Sequence, residues 1–202
     1  MRLALNLLAI IALAFASAAF AEEAPRPSLK GKFLVADPAM PDLRFAGTVI
    51  FMIAHSADGA VGIVINRPAA RRPLADVMRA FGQAPREGQG AAVELDLHWG
   101  GPVDGDYVLL LHSDEYKTAS TTTMTPGVAL SMPQEALGDI AERRGPKRML
   151  LALGYAGWSA GQLERELEMK SWAVIGAGAE LLFDADAAGK WERAWKMRAQ
   201  EL

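Results

Sequence analysis

The sequence predicts an α+β fold: a single domain with a mixed, mostly antiparallel sheet, flanking helices and one βαβ unit near the C-terminus. Three observations carry this. Strand-like segments crowd the first half of the chain, and helical patterns mix in later, which is unlike the regular alternation of a doubly wound fold. Two neighbouring segments, residues 48–54 (TVIFMIA) and 60–66 (AVGIVIN), are almost continuously apolar, so they read as central strands covered on both faces. Residues 149–175 read as strand, short helix, strand, which is short but sufficient for a right-handed βαβ unit. The chain is 51% hydrophobic and 22% charged over 202 residues, ordinary composition for one globular domain.

Residues 1–21 stand apart from that domain. Arg2 is their only charge, residues 7–15 are apolar, and small residues lead to Ala19-Phe20-Ala21. This is the pattern of a secretory signal peptide cut between Ala21 and Glu22. It predicts a periplasmic or secreted protein with no membrane span once the leader is gone. Residues 22–28 (EEAPRPS) then read as a flexible tether, and residues 29–202 as the domain. The chain has no Cys, which excludes a lipoprotein anchor and any disulfide framework. Counted from Glu22, 20 Lys+Arg face 24 Asp+Glu, a net charge of −4. That balance offers no electrostatic footprint for nucleic acid.

The elements follow in order. Residues 32–36 make a first short strand, and the prolines at 38 and 41 force a loop by pushing their predecessors out of the helical region. The strands at 48–54 and 60–66 are joined by Ser56-Ala57-Asp58-Gly59, with glycine where positive φ is needed. Asn66-Arg67-Pro68 ends this hairpin. A helix spans 73–81, with Pro73 near its first position, Gly82 at its C-cap, and Leu74, Val77, Met78 and Phe81 on one stripe. Glu94–Trp99 alternates, with Leu95, Leu97 and Trp99 on one face. Gly100-Gly101-Pro102 turns the chain into a strand at 107–111. Residues 121–125 and 128–130 have extended character. Ser131 then caps a helix over 133–143, whose end is marked by Gly145-Pro146. In the βαβ unit, a strand at 149–153 precedes a tight turn at 154–157. Ser159 and Gln162 form a capping box for an amphipathic helix, and 172–175 is the second strand. Residues 179–183 read as a last strand or a turn. A terminal helix at 190–200 carries Trp191 and Trp195 one turn apart, positioned to dock on the sheet.

Gly157-Trp158-Ser159-Ala160-Gly161 matches the G-x-S-x-G nucleophile elbow and lies between a strand and a helix, as that motif requires. A nucleophilic serine needs a histidine base, and in that fold the histidine follows the serine. His55, His98 and His112 all precede Ser159, so the serine reads as a helix cap, with a serine hydrolase as the alternative. Nor do the three histidines have metal-ligand spacing. His112-Ser113-Asp114 resembles a triad, but neighbours on an extended chain point to opposite faces. Arg67, Arg71 and Arg72 form one basic cluster and Arg143, Arg144, Lys147 and Arg148 another, and both read as solvated faces. The better candidates for a binding surface are strand-end loops on a rigid sheet. These are Asn66, Arg67 and Pro68 with Gly100, Gly101 and Pro102, which could line one groove with His55, His112, Tyr155 and Trp158.

Several stretches together resemble one bacterial family. Gly31-Lys32-Phe33-Leu34-Val35-Ala36 is similar to its "GxFLIA" entry. His55 with Asp58-Gly59-Ala60-Val61-Gly62-Ile63-Val64-Ile65-Asn66-Arg67-Pro68 is similar to its "EH..dGA.G.viNrP" block. Gly100-Gly101-Pro102-Val103 and Leu111-His112 resemble its "GGPV…LH" block, and Gly154-Tyr155-Ala156-Gly157-Trp158 with Gly161-Gln162-Leu163-Glu164-Glu166 its "GYAGWxxGQLExEi" block. The chain is identified on these as resembling the YqgE/AlgH family. The resemblance implies an α+β fold around a mostly antiparallel sheet and carries a regulatory label, often written as transcriptional regulation. This chain departs from the familiar members in its leader and in having Ala54 where a glutamate usually precedes His55. The combined expectation is a binding or regulatory protein without enzyme activity, cofactor or metal, acting on an unspecified protein or small-molecule partner.

Overall fold

The computed structural model describes residues 27–90, 92–176 and 178–198. The predicted leader, its cleavage point at Ala21 and Glu22, and the tether through Arg26 lie outside the described residues. The described chain is organised on ten strands: β1 (Phe33–Ala36), β2 (Val49–Ser56), β3 (Gly59–Val64), β4 (Pro68–Pro73), β5 (Glu94–Trp99), β6 (Val103–His112), β7 (Thr122–Thr125), β8 (Val128–Ser131), β9 (Met149–Ser159) and β10 (Trp172–Ile175). Their order is β10-β1-β2-β3-β9-β6-β8-β7, with β5 on β9 and β4 outside it. Every pairing is antiparallel except β5 with β9.

The long β9 joins two halves of the sheet. Its first part, around Leu151 to Leu153, has β6 on one edge and β5 on the other; its last part, Ala156 to Ser159, pairs with β3. Apolar residues on both faces of β1, β2 and β3 create two cores. Phe33, Val35, Phe51 and Ile63 point inward, against Leu109, Leu111 and Leu150 of the other half. Leu34, Ile50, Met52 and Val64 point outward, beneath Trp158, Trp172 and Leu163 of helix α3 (Gln162–Glu168). A third core lies on the outer face of the β5–β9–β6 half. There Leu95, Leu110 and Leu151 meet α1 (Leu74–Ala80) and α2 (Leu137–Ala141). Helices α4 (Ala179–Leu182) and α5 (Lys190–Met197) close the inner core. Each fully buried aliphatic or aromatic side chain here stabilises the fold by about 1.5–3 kcal/mol.

Several details differ from expectation. Strand β4 falls between the predicted end of the hairpin at Pro68 and the predicted helix from Pro73, where the sequence assigns no element. It lies outside the sheet's main path and is mostly exposed, so it has no apolar alternation, and prolines at both ends suit it to an outer position. The predicted turn at 154–157 is strand: Gly154 takes φ 70° and β9 continues to Ser159. Ser159 does not cap α3. The N-cap is Gly161, and only half of the capping box forms, with Gln162 Oε1 accepting the Ser159 N–H at 3.1 Å. Ser131 ends β8 instead of capping a helix, and the predicted 133–143 helix is a 3-10 turn at Pro133–Glu135 followed by α2. Residues Ala179–Leu182 are helical rather than extended. The βαβ unit is present in a wider form. β9 and β10 run parallel, but β3, β2 and β1 lie between them.

Candidate functional site

The strand-end residues singled out in the sequence separate into three places. Asn66, Arg67, Pro68, Gly100, Gly101, Pro102 and Tyr155 gather at the seam where β3 and β5 meet along β9. Their polar groups are used within the seam. Asn66 Oδ1 accepts the Val49 N–H and its Nδ2 donates to Gly47 O, both at 2.9 Å. Arg67 donates to Ala46 O at 2.9 Å and lies over the Trp99 ring. The Gly100 N–H donates to Leu153 O at 2.7 Å while Gly100 O accepts the Val64 N–H at 2.8 Å, so one residue links β9 to β3. At Gly101 (φ 153°) a Cβ would collide with the Tyr155 carbonyl group. The two glycines are there because two backbones cross with no room for a side chain.

His55 sits at the far end of the β2–β3 hairpin. Its Nδ1 accepts the Leu29 N–H at 3.0 Å, so Nε2 carries the proton and donates to Glu164 of α3 at 2.9 Å. Ser28 also donates to His55 O at 3.0 Å, which ties the end of the predicted tether to the fold. Trp158 shares this outer face. Its indole N–H and that of Trp172 both donate to Glu166 Oε2 at 2.8 Å, and Gln162 donates to Glu166 Oε1 at 2.9 Å. The stretch from Gly157 to Glu166 thus clamps α3 onto the sheet, and the Ser159 hydroxyl bonds to Gln162 Oε1 at 3.2 Å.

His112 is in a third place, fully buried at the end of β6. Ser113 O can only accept, so Nδ1 donates to it, at 3.0 Å, and Nε2 of the neutral ring accepts the Ser131 hydroxyl at 2.8 Å. Burial holds the His112 pKa below its ordinary value, consistent with a neutral ring. A serine hydroxyl on a neutral imidazole is the geometry of an activated nucleophile. Here Ser131 is only 3% exposed and is bonded also to Thr121 at 2.8 Å, so the pair ties β6 to β8 and Thr121.

A cleft of about 410 Å³ opens on the inner side of β5, facing the segment between α4 and α5. That is within the ordinary range for small-molecule sites. Glu94, Asp96 and His98 face it from alternate positions of β5, with Pro68 beside them and Phe183, Asp184 and Lys190 opposite. His98 Nδ1 is buried with no hydrogen-bond partner among the described residues. Buried polar atoms rarely go unpaired without a reason. The His98 pKa is lowered, by desolvation first and then by the nearby Lys190 charge. Lys190 is 1% exposed and donates to Leu182 O at 2.7 Å and Ile65 O at 3.1 Å. Burial brings its pKa down from 10.5 to about 8, so the ammonium form still predominates near neutral pH. Among the described residues Lys190 takes part in no ion pair, while Asp184 opposite is paired with Arg193 at 2.8 Å. No group of three or more His, Asp or Glu suited to a metal ion occurs among the described residues. The cleft can offer a ligand an imidazole, the remaining ammonium N–H and an apolar wall.

An AlgH-like family model matches residues 33–202. A UPF0301 protein of Methylococcus capsulatus is 42% identical over 166 residues, 82% of this chain and 89% of its own length. One from Jannaschia is 40% identical over 168 residues, 82% and 86% of the two chains. The chain belongs to the AlgH-like family. The solution structure of AlgH from Pseudomonas aeruginosa superposes with a TM-score of 0.70 at 36% identity, covering 85% of this chain and 89% of that one. A Corynebacterium diphtheriae protein shares the fold, with a TM-score of 0.66 at 22% identity over 83% and 85% of the two chains. The names these relatives carry state no reaction or ligand.

For this AlgH-like chain the signature blocks map onto β1, the seam, the buried His112 and the α3 clamp, whereas the open cleft is lined largely by residues outside those blocks. His98 entered the sequence reading only as one histidine of three, and Lys190 only as the first residue of a helix. The one available signal for His98 was its place on the polar face of an alternating strand, opposite Leu95, Leu97 and Trp99. Nothing local marks Lys190, because its burial depends on carbonyls at Ile65 and Leu182.

Proposed function

We propose that this protein is a non-enzymatic binding or regulatory protein, exported by its leader, that takes a small ligand in the cleft between β5 and the α4–α5 segment. One observation carries the reading: the cleft is lined by His98, whose buried Nδ1 has no hydrogen-bond partner among the described residues, and by the buried Lys190 ammonium. A ligand that bonds to both would satisfy groups the fold leaves unsatisfied. The absence of enzyme activity is supported by the other two histidines, whose ring nitrogens are engaged by Leu29 and Glu164 and by Ser113 and Ser131. It is also supported by the bond of the Ser159 hydroxyl to Gln162. The test is a small-molecule screen by ligand-observed NMR on the wild type and on Ala187→Trp, which fills the cleft from its wall. Cleft binding predicts hits that Ala187→Trp loses. Hits insensitive to this change would overturn the reading. Labelling of Ser159 or Ser131 by a serine-reactive phosphonate would restore the hydrolase alternative. Export is tested by N-terminal sequencing of the native protein and by its cell fraction: a chain starting at Glu22 outside the cytoplasm is expected, and an intact Met1 inside it would remove that part.

A further inference from the structure

Resting on the cleft as the binding site, we propose that its ligand is a small monocarboxylate with an apolar body, its carboxylate set between Lys190 and His98. Two independent features of the cleft lead there. The first is charge. Lys190 carries an ammonium into a 1% exposed position with two backbone carbonyls as its hydrogen-bond partners and no carboxylate paired to it among the described residues. Buried charges are ordinarily paired. An ammonium has three donors, and two are used, so one remains for an anion. His98 lines the same cleft with its Nδ1 buried and unbonded among the described residues, and its neutral ring carries one N–H to donate. A carboxylate has two oxygens, one for each donor.

The second feature is the lining. Leu150, Leu182, Phe183 and Pro68 give the cleft an apolar wall suited to a short hydrocarbon body. Its mouth has the opposite character. Glu94 and Asp96 share the face of β5 that carries His98, and both are exposed. They are acidic neighbours for anything entering. Asp184 lines the cleft as well, paired with Arg193. A dianion such as phosphate meets the repulsion of these carboxylates twice over, whereas a monoanion meets it once and matches the single Lys190 ammonium.

The measurement is ligand-observed NMR or calorimetry with hexanoate, hexanamide, hexylamine and inorganic phosphate against the wild type, Ala187→Trp, Lys190→Met and His98→Ala. Hexanoate is expected to bind the wild type saturably and to lose binding in Ala187→Trp. Hexanamide, its uncharged counterpart, should bind about tenfold or more weakly, the usual weight of a charge-assisted bond. Lys190→Met and His98→Ala should each weaken hexanoate and leave hexanamide little changed. The acid-against-amide comparison needs no variant, so it stands even if Lys190→Met does not fold. Equal or tighter cleft binding of hexanamide, hexylamine or phosphate overturns the carboxylate assignment and leaves the cleft as a binding site. No cleft-dependent binding by any of the four, together with a wider screen whose hits ignore Ala187→Trp, overturns both.

Discussion

His112 and His98 lie on neighbouring parts of the same sheet half and teach opposite lessons. Both have pKa values depressed chiefly by burial. His112 is enclosed completely, and each ring nitrogen has a protein partner, at 3.0 and 2.8 Å. His98 is half-buried and lines a 410 Å³ cleft, and its buried Nδ1 has no partner among the described residues. A satisfied buried histidine is part of the fold; an unsatisfied one at the edge of a cavity costs stability that only something outside the chain can recover.

The largest test of that contrast is His112→Ala against His98→Ala in urea denaturation. His112→Ala should cost about 3–4 kcal/mol, since it leaves a cavity and strips the Ser131 hydroxyl and Ser113 carbonyl of their partner. His98→Ala should cost about 1 kcal/mol or less, because no protein hydrogen bond to its Nδ1 is lost. Equal costs would dissolve the distinction.

Lys190 gives the next largest effect. Its folded pKa is about 8 against an ordinary 10.5, so between those values the unfolded chain binds the proton more than the folded one does. Stability therefore rises with pH across that window, by about 3 kcal/mol at most, and falls back as pH drops toward 8. Subtracting the same curve for Lys190→Met isolates this contribution; a flat difference would show that the ammonium is not penalised by burial. The same sign applies lower on the scale for both histidines. As pH falls below 6.5 the unfolded chain takes up protons first, so stability declines until the depressed folded pKa is reached. His98→Ala should remove its share of that slope and leave the share of His112.

Two smaller effects separate clamp from cap. Glu166→Ala strands the indole N–H groups of Trp158 and Trp172 and should cost about 2 kcal/mol by thermal unfolding. Ser159→Ala breaks one exposed hydroxyl bond to Gln162, and less than about 1 kcal/mol is expected. A larger loss at Ser159 than at Glu166 would mean that the G-x-S-x-G stretch is held together differently.

Where side-chain pattern and fold coincide, the sequence was readable. β2 and β3 were legible because residues on both of their faces are apolar and both faces are covered. α1 was legible from Leu74, Val77 and Met78 on one stripe. β4 was not, since an exposed strand flanked by prolines has no hydrophobic period to read. The seam glycines Gly100 and Gly101 stood out as a motif open to close approach by a backbone or a ligand. The path of β9 past them shows that another backbone fills the space. Among the candidate site residues Pro68 alone borders the cleft.

By itself, then, the sequence determined the α+β class, the central hairpin, the amphipathic helices and the family, because all of these are written in local period and motif. Tertiary structure alone decided which histidine is spent and which is open. That depends on partners far along the chain, Ser131 for His112 and none for His98 Nδ1. It decided likewise that Lys190 is buried, because the carbonyls of Ile65 and Leu182 reach it only after the sheet has curled under α4 and α5.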